Sequence, residues 1–189
     1  MKFRNWSQGF LAITVSAGIG LGLISCGQSS TIDYLYVASA STSVGVINTY
    51  LVDSQSGALN EVSGTPTNAG HNPVGLVTSP NGNNLFVINH DDNTLIAYTI
   101  GTGARLEQPT TYTLPGNAPV AVAMNPGGTL LFVVVSFAPS LSAADPGPGA
   151  LLVYQVDTGS GKLTGPVTQT FGSAQSGNYY PLNTTPTGV

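Results

Sequence analysis

Residues Asn72 to Leu106 read NPVGLVTSPNGNNLFVINHDDNTLIAYTIGTGARL. Val74 to Thr78 is a short apolar run that ends at Ser79-Pro80-Asn81-Gly82, where proline presets a turn dihedral and Asn-Gly accepts positive φ. Leu85 to Ile88 is a second run of β-forming residues, closed by the polar cluster Asn89-His90-Asp91-Asp92-Asn93. Thr94 to Ile100 is a third, closed by Gly101-Thr102-Gly103, and a fourth, weaker strand is expected after Leu106. Connections this short join neighbouring strands antiparallel, so the stretch predicts a four-stranded meander.

The chain repeats this unit on both sides. Upstream, Leu35-Tyr36-Val37-Ala38 matches Leu85-Phe86-Val87-Ile88, Ile47 to Val52 matches Leu95 to Ile100, and Gly57-Ala58-Leu59 matches Gly103-Ala104-Arg105-Leu106. The counterpart of Val74 to Thr78 is missing there, so the first copy starts in mid-unit. Downstream, Ala118-Pro119-Val120-Ala121-Val122 opens a third copy, with Pro119 lying 46 residues after Pro73 and Leu131-Phe132-Val133 lying 46 after Leu85-Phe86-Val87. Tyr154 then falls 56 residues after Tyr98, which places a ten-residue insertion within Ser136 to Gly149. That stretch, SFAPSLSAADPGPG, carries three prolines and two glycines and is expected as an exposed loop. Gly161-Lys162-Leu163 restores the pattern, and Thr185-Pro186-Thr187-Gly188-Val189 resembles Asn72-Pro73-Val74-Gly75-Leu76, the opening of a further copy.

A four-stranded meander repeated every 40 to 50 residues or so is the size of one propeller blade. The expected fold is therefore all-β: a partial β-propeller of tandem four-stranded antiparallel blades in an open arc, preceded by an N-terminal signal segment. An incomplete blade occupies 33–70, a blade 71–116, a blade with the loop insert 117–180, and the start of the next 185–189. Two full copies and one partial copy fall short of a closed ring, so the chain reads as a truncated product whose missing blades are expected partners. The missing first strand predicts closure by a strand from the end of the ring, which removes free sheet edges.

Composition narrows the partners. The 189 residues are 41% hydrophobic, enough for a core, yet only four are basic and eight acidic. Beyond residue 25 only Arg105 and Lys162 remain against eight acids, a formal charge of 2 − 8 = −6. Nucleic acid requires clustered Lys and Arg, and there is no such cluster. The N-terminus carries an export pattern: basic Met1 to Arg4, an apolar stretch from Gly9 to Ile24, then Leu23-Ile24-Ser25-Cys26. The stretch is short for a bilayer span and fits a cleaved signal over 1–25. Leu-Ile-Ser-Cys resembles the lipobox of bacterial lipoproteins, which implies lipidation of Cys26, a membrane partner through that lipid, a tether over 26–32, and a place in the periplasm or on the outer membrane. The plain alternative is an ordinary signal peptide with a chance cysteine. Cys26 is the single cysteine, so no disulfide forms within the chain.

The recurring pattern P-x-[GA]-[LV] … P-x-G … L-[FY]-V … [LI]-x-x-Y … G-x-L, with one extra residue before the last Leu in the middle copy, resembles the repeat of the lactonase-type seven-bladed propellers. These are the 6-phosphogluconolactonase-like group, which often carry YVTN-type repeats. The resemblance covers Asp33 to Val189; the asparagine expected after the second strand appears as Asn89 in one copy only. It implies hydrolysis of a sugar lactone, with catalytic side chains at the ring's central mouth contributed by several blades. None of them is matched residue by residue here. A propeller also serves proteins that only bind, so a non-catalytic envelope propeller holding a protein or glycan is the second expectation.

Strand alternation sorts the polar residues by face. The linker between copies and the loop between second and third strands open on the same side, so His71 and Asn72 share a rim with His90, Asp91, Asp92 and the 136–149 insert. A histidine aimed at the channel can activate water, which makes His71, His90, Asp91 and Asp92 the candidate catalytic residues. Each has a structural reading beside it. His71 precedes Asn-Pro in a surface loop as a solvated or turn-capping side chain, and His90-Asp91-Asp92-Asn93 fits an Asx-bonded turn. The Asp-x-Asp spacing of a calcium loop is absent, so no metal is expected, and no cofactor motif is present. Asp53 and Asp157 recur at matching places after the third strand and read as repeat features. Gly101-Thr102-Gly103 and Gly159-Ser160-Gly161 precede no helix and read as hairpin turns rather than phosphate loops. Gly-x-Ser-x-Gly is absent, and no cysteine is available as a nucleophile.

Overall fold

The computed structural model describes residues 33–41, 43–139, 144, 147–171, 175–184, 186 and 188. The signal segment, Cys26 and the tether lie outside the described residues, as do Thr185, Thr187 and Val189 of the last partial copy. Among the described residues the fold is all-β, with a 3₁₀ turn at Thr102–Ala104 and no α-helix.

Each repeat is an antiparallel sheet. The first holds β1 (Asp33–Ser39), β2 (Val46–Val52), β3 (Leu59–Glu61) and β4 (Thr67–Asn68), with both β3 and β4 paired to β2. The middle sheet is the meander β5 (Pro73–Thr78), β6 (Asn84–Asn89), β7 (Thr94–Ile100), β8 (Leu106–Thr113) in that order. The third holds β9 (Asn117–Met124), β10 (Leu130–Phe137), β11 (Ala150–Val156) and β12 (Leu163–Thr164). Beyond them, β13 (Gln169–Phe171) and β14 (Gln175–Gly177) form a hairpin, and β15 (Tyr180–Pro181) returns to pair with β11. Ser79 closes the β5–β6 turn, where its backbone N–H and the Gly82 N–H find carbonyls at Asn84 and Ser79, both at 2.8 Å.

The sheets stack face to face, and the period-two alternation of β6 shows it. Leu85 and Val87 belong to a core shared with Tyr36 and Ile47 of the first sheet. Phe86 and Ile88 belong to another, shared with Leu131, Val133, Val135, Leu152 and Tyr154 of the third. Every residue of β6 is buried, so the middle sheet is covered on both faces. Tyr98 adds a polar stitch between sheets, its hydroxyl donating to the Asn68 carbonyl at 2.6 Å. The stack is thus held by apolar burial between sheets, each buried aliphatic or aromatic side chain contributing about 1.5–3 kcal/mol.

One junction recurs three times. Gly45 donates to the Gly70 carbonyl at 2.9 Å and lies against the Pro73 ring. In the middle sheet Leu114 donates to the Asn93 carbonyl at 2.9 Å, and the Asn93 side chain accepts from Ala118 N–H at 2.6 Å, just before Pro119. In the third, Gly149 donates to Thr184 at 3.3 Å and lies against Pro186. Gly45 and Gly149, each just before a strand, therefore meet the proline that opens the following repeat, while Asn93 at the matching place meets the Ala118 N–H instead. Asn72 and Ala118, just before two of those prolines, share a left-handed φ of +52°.

Two expectations are adjusted. The strand after Leu106, expected to be weak, runs eight residues. Its polar composition suits an outer edge open to water, and Pro109 falls at its bulge, where no ladder bond is needed. The loop expected over Ser136 to Gly149 begins later, because β10 continues to Phe137, paired with Asn117, and Ala138 is buried in the core. The prolines that forbid strand start at Pro139, so Ser136 and Phe137 are free to complete the ladder.

Candidate functional site

The β6–β7 loop and the linker from the first sheet into β5 meet at one end of the stack. Asn89, fully buried, holds them together: its Oδ1 accepts from Gly70 N–H at 3.1 Å and its Nδ2 donates to Thr94 Oγ1 at 3.2 Å. His90 N–H adds a backbone bond to the Asn72 carbonyl at 2.9 Å. Gly70 is required at the crossing, since a Cβ there would sit 2.5 Å from Asn89 Cγ and 2.8 Å from Asp92 Oδ2.

On this frame the four candidate residues come together as two His–Asp pairs. The Asp92 carboxylate grips His71 twice, accepting from the backbone N–H at 2.6 Å on Oδ2 and meeting ring Nδ1 at 2.7 Å on Oδ1. Asp91 Oδ1 meets His90 Nδ1 at 2.6 Å and accepts from Asn72 Nδ2 at 3.1 Å. Asp92 is held below the usual carboxylate range first by the His71 backbone N–H, and Asp91 first by the bond to the His90 ring. Both carboxylates are thus ionised acceptors. With Nδ1 protonated toward Asp92, His71 leaves its Nε2 lone pair directed outward, the tautomer a general base needs. His71 is about half exposed, at 54% of its side chain, so water and small solutes reach it. In the third sheet the pairing of Asn117 with Phe137 corresponds to that of Pro73 with Asn89 in the middle sheet. No group of three or more His, Cys, Asp or Glu side chains among the described residues is arranged to hold a metal ion.

The other polar motifs are structural. Asp53 Oδ1 accepts from Gln55 and Ser56 N–H at 2.9 and 2.8 Å, and Asp157 Oδ1 from Gly159 and Ser160 N–H at 3.2 and 2.7 Å. These are the same Asx turn in two repeats. Gly101-Thr102-Gly103 makes a hairpin connection with one 3₁₀ turn, Gly103 at φ +69°.

A cleft of about 340 Å³ lies between β7–β8 and the β11–β12 turn. The sequence barely marks it, because Gln108 and Thr110 lie 54 and 52 residues before Lys162 with no motif to join them. The one local sign was the Gln108-Pro109 pair inside an otherwise regular strand.

Stacked four-stranded antiparallel sheets with polar loops gathered at one end define the class, and solved structures share it. A candidate 6-phosphogluconolactonase from Bacteroides uniformis is similar over 67% of this chain and 38% of its own, at 15% identity and a TM-score of 0.50. A functionally unknown protein from Desulfotomaculum acetoxidans is similar over 72% and 41%, at 15% identity and a TM-score of 0.52. The periplasmic gluconolactonase of Pseudomonas aeruginosa overlaps 83% and 44% at 18% identity, with a TM-score of 0.47. The chain thus spans 38 to 44% of the length of these structures. No protein-family model and no curated protein matches the sequence. At these identities the likeness is one of fold: a lactonase-like all-β fold.

Proposed function

We propose that this chain is part of a lactonase-like β-propeller that hydrolyses a sugar lactone, with His71 as general base and Asp92 as its positioning residue. The observation that carries the reading is the double grip of Asp92 on His71, which fixes both the place and the tautomer of an exposed imidazole. In the reaction His71 Nε2 takes a proton from water, and the hydroxide adds to the lactone carbonyl. The ring C–O bond breaks, and the ring oxygen leaves as a hydroxyl with that proton, giving the hydroxy acid. His90, held by Asp91 on the adjacent loop, adds a second imidazole to the same rim. The fold shared with the Bacteroides uniformis protein supports lactones as the substrate class, and the stacked sheets with their recurring junction support the propeller. Leu35 and Val37 leave the outer side of the first sheet apolar and more than a third exposed, which supports further blades packing there.

The N-terminal pattern supports an exported protein, lipidated at Cys26 and held at the bacterial envelope by that lipid. Turnover is tested by titrating acid release from glucono-δ-lactone above its spontaneous rate. His71→Gln should lower kcat by about 10²–10⁴-fold, the usual worth of a general base, with the fold intact; an unchanged rate overturns the assignment. Radiolabelled palmitate should enter the wild type and not Cys26→Ser, and equal labelling of both would remove the anchor.

A further inference from the structure

We propose that the cleft between β7–β8 and the β11–β12 turn is a binding site for an acidic saccharide unit, a sugar residue carrying one carboxylate. It is separate from the His–Asp rim. At about 340 Å³ the cleft sits near the small end of the range for ligand sites, about 300–1,000 Å³, so it takes one sugar-sized unit rather than an extended chain.

Its lining is built of groups that recognise hydroxyls. Thr99, Gln108 and Thr110 present hydroxyl and amide groups, and the Tyr112 ring gives a flat apolar wall. Tyr112 Oη already accepts from Leu163 N–H at 3.1 Å, which leaves its own proton to donate. The lining holds a single charge, the Lys162 ammonium, and no carboxylate. Asp157, five residues before Lys162, spends its Oδ1 on the Ser160 and Gly159 backbone and on Ser160 Oγ at 2.7 Å and feels the Lys162 charge only as a minor influence. One ammonium among neutral donors and acceptors selects one anionic group on an otherwise hydroxylated ligand.

Two features of the backbone set this cleft apart from an ordinary surface dip. The β7–β8 register shifts between Ala97 and Thr99, and at that bulge Gln108 adopts φ +48°. Left-handed backbone at a non-glycine residue is strained and concentrates where a side chain must be re-aimed. Beneath the cleft lies Asn84, only 1% exposed and cross-strand from Thr99. Neither atom of its amide has a partner among the described residues, and a Cβ on Gly161, which lines the cleft, would run into that amide. Glycine thus lets the β11–β12 turn close directly over that buried amide, which fixes the floor of the cleft.

The test is amide chemical-shift mapping of the full chain with galacturonate, and galactose as the neutral control. The expected result is saturable shifts at Thr99, Thr110 and Gly161 with the acidic sugar and none at His71 or His90. Lys162→Met should weaken that binding about tenfold, the worth of one charge-assisted hydrogen bond. Thr110→Val should weaken it as well, and its unperturbed spectrum elsewhere confirms folding. No saturable shift with either sugar, shifts confined to the rim, or equal binding of galactose overturns the proposal. So does binding that ignores both substitutions.

Discussion

Val87 and Ile88 are chain neighbours with nothing of their side-chain surroundings in common, and this gives a sharp test of the stack. Val87 points into the core shared with the first sheet and Ile88 into the core shared with the third, and both are 0% exposed. Val87→Ala removes two methyl groups' worth of burial, about 1.6 kcal/mol of transfer energy and about 2–3 kcal/mol once the cavity is included. Ile88→Val removes one methylene and costs about 1 kcal/mol. Because the two side chains lie on opposite faces, the double variant should lose the sum, about 3–4 kcal/mol, with a coupling below about 0.5 kcal/mol. With a urea m-value near 2 kcal/mol/M that sum lowers the midpoint by about 1.5–2 M. Tyrosine fluorescence in urea titrations reads it, the one tryptophan, Trp6, lying outside the described residues. A cost below about 0.5 kcal/mol for either single variant would mark that face as solvent-exposed and refute a doubly covered middle sheet.

Further outcomes follow from the same contacts. Gly70→Ala places a methyl against Asn89 and Asp92, so it should lower stability by about 1–3 kcal/mol and abolish the downfield His71 Nδ1 proton resonance; retention of that resonance would show that the Asp92 grip tolerates displacement. Asp53, Asp91, Asp92 and Asp157 are all depressed, by Ser56, His90, His71 and Ser160 respectively. Their stabilisation is complete above the unfolded carboxylate pKa of about 3.9 and disappears as pH falls through the lower folded values. Tm should therefore drop steeply below about pH 4, and less steeply in Asp92→Asn; identical profiles would contradict the native-state pairing. Ala118 sits at φ +52°, so Ala118→Gly should relieve about 1–2 kcal/mol of strain against about 0.5–1 kcal/mol of chain entropy. Calorimetry should show Tm raised by about 1–2 °C, and a fall of several degrees would mean the strain is absorbed elsewhere.

Much of this was open to sequence reading because tandem repetition checks itself. Pro73, Pro119 and Pro186 mark equivalent positions, and the apolar runs between them fall in register with the observed strands. Alternation also placed both histidines and both aspartates at one end, since strand direction alone decides which loops share a rim. The hydrogen bonds were hidden: nothing in the run Asn89 to Asn93 says that Asp92 turns to His71 and Asp91 to His90. The end of β10 is hidden in the sequence, because a proline-rich insert follows two residues, Ser136 and Phe137, that still have a partner strand. Asn84 was hidden for a related reason, an asparagine beside a turn being ordinarily exposed, whereas here the third sheet covers it.

The central claim, that His71 and Asp92 act as one water-activating unit, is tested most directly by a double-mutant cycle on glucono-δ-lactone turnover. His71→Gln should lose about 10²–10⁴-fold in kcat and Asp92→Asn less. The double variant should be no slower than His71→Gln, because a positioning residue has nothing left to position. Losses that multiply, or wild-type rates in all three variants, would contradict it.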